Sequence, residues 1–142
     1  MRVIGFAVLS LALALSTTRA ADDGAEKELK RFQGDWQVVA VTEDGATTAA
    51  DKLKGKVWTF QENKLVPQYD KEDTATVKID PTKRPAALDI TDKAGEKVEG
   101  IYQFTGNDTL TICGRGDGKR PTGFAAGQKS GAVLFVLERV KK

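Results

Sequence analysis

Hydrophobic and polar residues alternate with a period of two along most of the chain after residue 34. Successive side chains of a strand point to opposite faces of a sheet, so this pattern predicts a series of β-strands. Turn-forming residues, including Glu62-Asn63-Lys64 and Asp80-Pro81, separate the strands. The alternating series are Trp36, Val38 and Ala40; Trp58 and Phe60; Ala75, Val77 and Ile79; Leu88 and Ile90; Val98, Gly100, Tyr102 and Phe104; and Leu110 and Ile112, with further strands over 65–69 and 132–139.

A different period precedes the strands. Ala25, Leu29 and Phe32 recur at spacings that place them on one helical face, which predicts a short amphipathic helix that ends near Gly34. The final strand, by contrast, is apolar on both faces over residues 132–137, so both of its faces must be covered. We expect one face to point into the core and the other to receive the Leu29 and Phe32 side of the helix.

Eight short strands joined mostly by tight turns favour an all-β, antiparallel, up-and-down barrel, because closure removes both exposed edges of the sheet. An open sandwich is the alternative architecture. Two longer connections interrupt the meander, at residues 43–55 and 115–130. We expect one helical turn in the first connection.

The N-terminus has the layout of a secretory signal peptide, with Arg2 followed by an uncharged apolar run from Val3 to Leu15 and small residues up to Ala20. This run is shorter than the ~20 residues that span a bilayer, so a retained membrane anchor is the weaker interpretation. We expect cleavage after Ala20, a single domain over residues 21–142, and export to the periplasm or the exterior.

Charge and composition narrow the classes of partner. Loss of residues 1–20 removes Arg2 and Arg19 but no acid, so the formal net charge falls from +2 to zero. A neutral surface has no long-range field that gathers phosphates or anionic lipids, which argues against nucleic-acid and membrane-surface binding. The single cysteine, Cys113, excludes an internal disulfide.

Candidate chemistry is sparse. The sequence contains no histidine, which excludes Ser-His and Cys-His nucleophile systems and histidine zinc sites. No acidic calcium loop is present, and the segment from Gly114 to Lys119 lacks the Gly-Lys-Ser/Thr ending of a phosphate loop. We therefore expect no enzyme activity, no metal and no cofactor, and a structural role for Cys113.

The run Gly34-Asp35-Trp36, after a short helix, resembles the Gly-x-Trp signature of the lipocalins. The resemblance implies that Trp36 lies at the closed end of a barrel with an arginine from the last strand, here Arg139, across its ring. The chain is also similar to an uncharacterised family of exported lipocalin-like domains described from planctomycete bacteria. The residues that carry this similarity are 28–36, 80–85, 100–102, 120–124 and the apolar final strand.

These observations leave two functional hypotheses open. In the first, the barrel binds a small apolar or amphipathic ligand, with the loop over residues 115–130 at its mouth. In the second, the barrel is filled, and its surface meets another exported protein or the cell envelope; small eight-stranded barrels of both kinds exist. The candidate ligand-binding residues are Trp58, Phe60, Tyr102, Phe104, Arg120 and Phe124, and the structural signature residues are Gly34, Trp36 and Arg139.

Overall fold

A computed structural model describes residues 24–141, so the predicted signal peptide over residues 1–20 lies outside the described range. Within that range, residues 24–32 form helix α1, and 3-10 turns occur at Ala50–Lys52 and Lys71–Asp73. The strands are β1 (Gly34–Glu43), β2 (Ala46–Thr48), β3 (Val57–Gln61), β4 (Lys64–Pro67), β5 (Ala75–Asp80), β6 (Ala87–Thr91), β7 (Lys97–Thr105), β8 (Thr109–Arg115) and β9 (Ala132–Arg139).

The sheet closes into an antiparallel barrel because its last strand pairs with its first. The β1–β9 ladder runs from Trp36 opposite Arg139 to Glu43 opposite Val133. Consecutive strands from β3 to β9 pair in sequence order, and β3 pairs with the first part of β1. The predicted up-and-down barrel is therefore confirmed, and the open sandwich is not formed.

Strand β2 is an addition to the predicted set. It pairs only with the end of β1, from Val41 opposite Thr48 to Glu43 opposite Ala46, so the closed barrel contains eight strands. Its three residues are all exposed, so they carry no hydrophobic alternation by which the sequence could identify a strand. The helical turn expected in the 43–55 connection is present at Ala50–Lys52.

A β-bulge corrects one predicted orientation. Val38 lies opposite Leu137, but the next pair joins Ala40 to Val136, so β1 has one extra residue at this point. An extra residue shifts the alternation of the bulged strand by one position. The expectation that Ala40 continues the inward series of Trp36 and Val38 is therefore wrong, and Val41 packs against the core instead.

Helix α1 covers the end of the barrel where β1 begins, called here the closed end. Phe32 is fully buried in the barrel core, and the Gln33 side chain exchanges hydrogen bonds with the backbone of Glu62 at 2.9 and 2.6 Å. The expectation that α1 docks on the outer face of β9 is wrong. Because only Gln33 separates α1 from β1, the connection is too short to carry the helix around the wall.

The loop over residues 116–131 covers the outer face of the wall instead. Phe124 and Ala126 pack with Ile101, Cys113 and Ala132 in a second hydrophobic cluster, separate from the interior one. Phe124 and Ala126 hold the loop against this wall. The outer face of the apolar final strand is thus covered by a different segment from the one expected, with Ala132 buried and Leu134 partly buried there.

Across residues 24–141 no helix combines the length and the hydrophobicity that a membrane crossing requires.

Candidate functional site

The closed end of the barrel is filled by aromatic rings. The Phe32 ring centroid lies 4.9 Å from that of Tyr102, 5.0 Å from Phe104 and 5.3 Å from Phe60. These separations and the tilted or edge-on orientations are the favourable geometry for aromatic pairs. Three of the predicted ligand-binding residues therefore pack around the helix that caps the barrel.

Each polar group carried into this cluster has a hydrogen-bond partner. The Trp36 indole Nε1 donates to the Phe32 carbonyl oxygen at 2.7 Å, and the Tyr102 hydroxyl donates to Glu28 Oε2 at 3.1 Å. Burial, followed by the negative charge of Glu28, raises the pKa of Tyr102 well above its usual value. The phenol therefore remains a donor at neutral pH and helps to hold α1 on the barrel.

The signature residues meet at the same end. The Arg139 guanidinium carbon lies 4.3 Å from the Trp36 ring centroid, which is a cation–π geometry. Its two terminal nitrogens donate to the carbonyl oxygens of Gln33 at 2.8 Å and Arg31 at 2.9 Å. The arginine thus also provides hydrogen-bond donors for backbone carbonyl groups at the end of α1. Gly34 has φ +111°, and a Cβ there would lie 3.3 Å from Arg139 Nη1. A side chain at position 34 is thus disfavoured by both backbone and space.

The opposite end of the barrel is hollow. A cavity of about 580 Å³ opens to solvent there, and we call it the mouth cavity. Its apolar wall comes from inward-facing residues on five strands and from Val98 at the rim. These residues are Trp58 on β3, Leu65 and Pro67 on β4, Ala75 on β5, Ile90 on β6, Val98 on β7 and Phe135 on β9.

Trp58 is the predicted ligand residue that lines this cavity. Its ring centroid lies 4.9 Å from that of Phe135, and its Nε1 donates to the Tyr69 hydroxyl at 3.0 Å. Tyr69 is half exposed at the rim, and the Lys56 ammonium lies 4.2 Å from its ring centroid. The indole is therefore held in a fixed position with its donor satisfied, while its ring contributes to the cavity wall.

Charged residues line the rim of the mouth cavity. They are Asp73 beside β5, Asp92 and Glu96 in the β6–β7 turn, and Lys97 at the start of β7. Asp92 Oδ1 accepts a hydrogen bond from the Glu96 backbone nitrogen at 2.9 Å, which ties that carboxylate to its own turn. The opening thus combines an apolar wall with a charged edge.

Arg120 and Phe124 lie on the other side of the barrel wall. Arg120 Nη1 donates to the Gly100 carbonyl oxygen at 2.7 Å, and its Nη2 forms an ion pair with Asp89 Oδ1 at 2.8 Å. Phe124 packs over Ile101 and Cys113 on the outer face. The structure therefore does not bring these two residues together with Trp58; they fasten the 116–131 loop to the wall.

The buried Cys113 thiol faces this loop and lies 3.6 Å from the Ala125 carbonyl oxygen. Burial raises the pKa of Cys113, and the smaller effects of Ala125 and Arg115 oppose that rise. Protonated and covered, it lacks the activation of a nucleophilic thiol. The described residues also contain no group of three or more acidic or cysteine side chains placed to hold a metal ion.

Sequence reasoning missed most of the mouth cavity. The alternation places Ala75 and Ile90 on the inner face, but it does not tell which end of the barrel stays open. The short connection between α1 and Trp36 is the signal that fixes this, because a helix joined so closely to β1 must cover the end where β1 begins. The opposite end, where Trp58 and Phe135 lie, is then the one left uncovered by the helix.

Comparisons with models of protein families, with curated proteins and with solved structures found no match to this chain.

Proposed function

We propose that this chain is an exported lipocalin-like binding protein that takes up a small apolar or amphipathic molecule and does not change it chemically. The observation that carries the proposal is the mouth cavity, an opening of about 580 Å³ with an apolar wall in an otherwise packed barrel. Small-molecule pockets typically enclose about 300–1,000 Å³ and are lined mainly by hydrophobic and aromatic side chains. Export is proposed from the N-terminal sequence pattern alone.

Two features support binding over catalysis. The cavity wall is built from hydrocarbon and aromatic side chains on strands, which suit burial of an apolar ligand. Two polar groups at the wall serve the protein itself: the Trp58 indole binds Tyr69, and Asp92 holds its turn. Burial and shape therefore supply most of the recognition of the proposed ligand.

Tryptophan fluorescence during titration with 1-octanol, 1-decanol and 1-dodecanol tests the proposal. Trp36 is fully buried at the closed end, so a Trp36→Phe variant leaves Trp58 as the single reporter in the cavity wall. We expect a saturable change in its emission. The dissociation constant should fall about fourfold for each added methylene that is buried, as ~0.8 kcal/mol per methylene implies. A Trp58→Phe variant should lose most of the signal.

A matched pair of variants separates the cavity from the rest of the surface. Val98 and Val140 are similarly exposed, but Val98 lines the mouth cavity and Val140 follows β9 at the closed end. Val98→Phe should weaken alcohol binding at least severalfold, while Val140→Phe should leave it unchanged. Absence of any saturable response across the alcohol series would refute the proposal and favour a protein-interaction or envelope role.

A further inference from the structure

The charge at the rim of the mouth cavity is unbalanced. Three carboxylates, those of Asp73, Asp92 and Glu96, line the opening, against the ammonium of Lys97 and that of Lys56, which lies over the Tyr69 ring at the rim. The sequence as a whole has a formal net charge of +2, so this excess of negative charge is local to the opening. A local excess of one sign beside a low-dielectric wall favours a ligand group of the opposite sign.

Two of these carboxylates are available to a ligand. Within residues 24–141, the side chains of Asp73 and Glu96 take part in no hydrogen bond or ion pair, whereas Asp92 is occupied by its turn. Both side chains are at exposed positions and need no buried partner. They come from different connections, β4–β5 and β6–β7, and therefore border the opening at separate points of the rim.

Aromatic rings in the cavity wall provide a second, independent attraction for a cation. The Tyr69 ring at the rim is already occupied by the Lys56 ammonium, 4.2 Å from its centroid, so this attraction comes from the rings below it. Trp58 and Phe135 form a ring pair in the wall below. The faces of such rings attract ammonium groups, and quaternary ammonium ligands are commonly recognised by rings of this kind.

We propose that the ligand of the mouth cavity is a cationic amphiphile, with its hydrocarbon part against the apolar wall and an ammonium group at the carboxylate-bearing rim. This inference rests on the proposed binding function. Exposed ion pairs each contribute at most about fivefold in affinity. The apolar wall therefore supplies most of the binding, and the rim selects among ligands with similar tails.

Three amphiphiles with the same ten-carbon tail test this selection: decyltrimethylammonium, decanol and decyl sulfate, each below its micelle-forming concentration. Their dissociation constants are measured by calorimetry on the unmodified chain. We expect decyltrimethylammonium to bind roughly 3- to 20-fold more tightly than decanol, from one or two weak ion pairs, and decyl sulfate to bind more weakly than decanol. The preference should shrink as salt is raised, because the Debye length falls from about 30 Å at 0.01 M to about 3 Å at 1 M.

Charge-removing variants locate the effect. The double variant Asp73→Asn with Glu96→Gln should bind decyltrimethylammonium and decanol with nearly equal affinity, while its affinity for decanol stays unchanged. Lys97→Gln should increase the preference for the cation. The control double variant, Glu26→Gln with Glu138→Gln, removes the same charge from exposed positions on α1 and near the closed end of β9, and should keep the full preference.

The outcomes distinguish this inference from the proposed function. If decanol binds but decyltrimethylammonium is no tighter, or if decyl sulfate is tightest, the cationic ligand is wrong while an apolar site remains. A cation preference that survives in the Asp73 and Glu96 double variant also overturns the inference, since the rim carboxylates would not be its source. If none of the three amphiphiles binds, the proposed function and this inference fall together.

Discussion

Truncation of Phe32 tests whether α1 is a plug that enters the barrel. Phe32 is fully buried, and its ring contacts those of Phe60, Tyr102 and Phe104 from the end of the helix. A Phe32→Ala substitution removes this ring from the middle of the cluster. If α1 were only resting on the outside of the wall, the loss would expose little of the interior.

The expected loss follows from burial and from the space left behind. Full burial of a phenylalanine side chain is worth about 1.5–3 kcal/mol in transfer free energy, and an unfilled cavity raises the cost of Phe→Ala to about 3–5 kcal/mol. A domain of ordinary stability has about 5–15 kcal/mol in total, so the variant should fold but with a large fraction of its stability gone.

Urea unfolding followed by circular dichroism measures this difference. With typical slopes of about 1–3 kcal/mol per molar urea, the midpoint of Phe32→Ala should fall by about 1 M or more. Phe32→Leu, which keeps an apolar side chain but loses the ring contacts, should cost about 1–2 kcal/mol. Lys30→Ala, at an exposed position on the same helix, should stay within about 0.5 kcal/mol of the unmodified chain.

A loss of unfolding free energy below about 1 kcal/mol for Phe32→Ala would refute the interpretation that α1 inserts this ring into the barrel. The ring would then not fill the closed end, and the contrast between a filled end and a hollow end would lose its basis. A full loss for Phe32→Ala together with an equal loss for Lys30→Ala would show that the helix as a whole is sensitive, and that the ring has no special part in it.

Two further predictions concern the pKa of Tyr102 and the contacts by which Arg120 holds the 116–131 loop. Because the folded chain raises the pKa of Tyr102, the stabilising contribution of the neutral phenol is complete below pH 10 and is lost as the pH rises above 10, by up to about 1.4 kcal/mol per pH unit. Tyr102→Phe should therefore flatten the fall in urea midpoint above pH 10. Curves of midpoint against pH that run parallel for the variant and the unmodified chain would contradict this. Arg120→Ala removes the hydrogen bond to the Gly100 carbonyl oxygen and the partly exposed ion pair with Asp89, so the 116–131 loop should open more often. A disulfide reagent should then modify Cys113 about 5- to 30-fold faster at neutral pH. Lys119→Ala is the control, and an unchanged rate in Arg120→Ala would show that Arg120 does not hold the loop.

The strands were predictable because a half-buried strand leaves a period of two in the sequence. Trp58 and Phe60, for example, both face the interior as the alternation indicates. The bulge between Val38 and Ala40 was not predictable, because Val39, Ala40 and Val41 are all apolar and any of them could face the interior. Where both candidate faces are hydrophobic, the pattern contains no information on which one turns inward.

What covers a buried face was also beyond the sequence. The apolar residues of the final strand predict that both of its faces are covered. The sequence offers two equally apolar segments for the outer face, a helix with Leu29 and Phe32 and a loop with Phe124 and Ala126. Chain connectivity decides between them. A single residue joins α1 to β1, whereas the 116–131 loop joins β8 to β9 and lies directly beside their outer faces.

The contrast between the two ends of the barrel follows from the same connectivity. An eight-stranded barrel is just wide enough for its own side chains to fill it or to leave room for one small ligand. At the closed end α1 adds Phe32 from outside the sheet to rings that already point inward, and the interior is full. At the mouth the inward positions include the small side chain of Ala75. The space below the carboxylate-bearing rim is therefore a consequence of how this chain is connected and packed, which is why we propose ligand binding at that end.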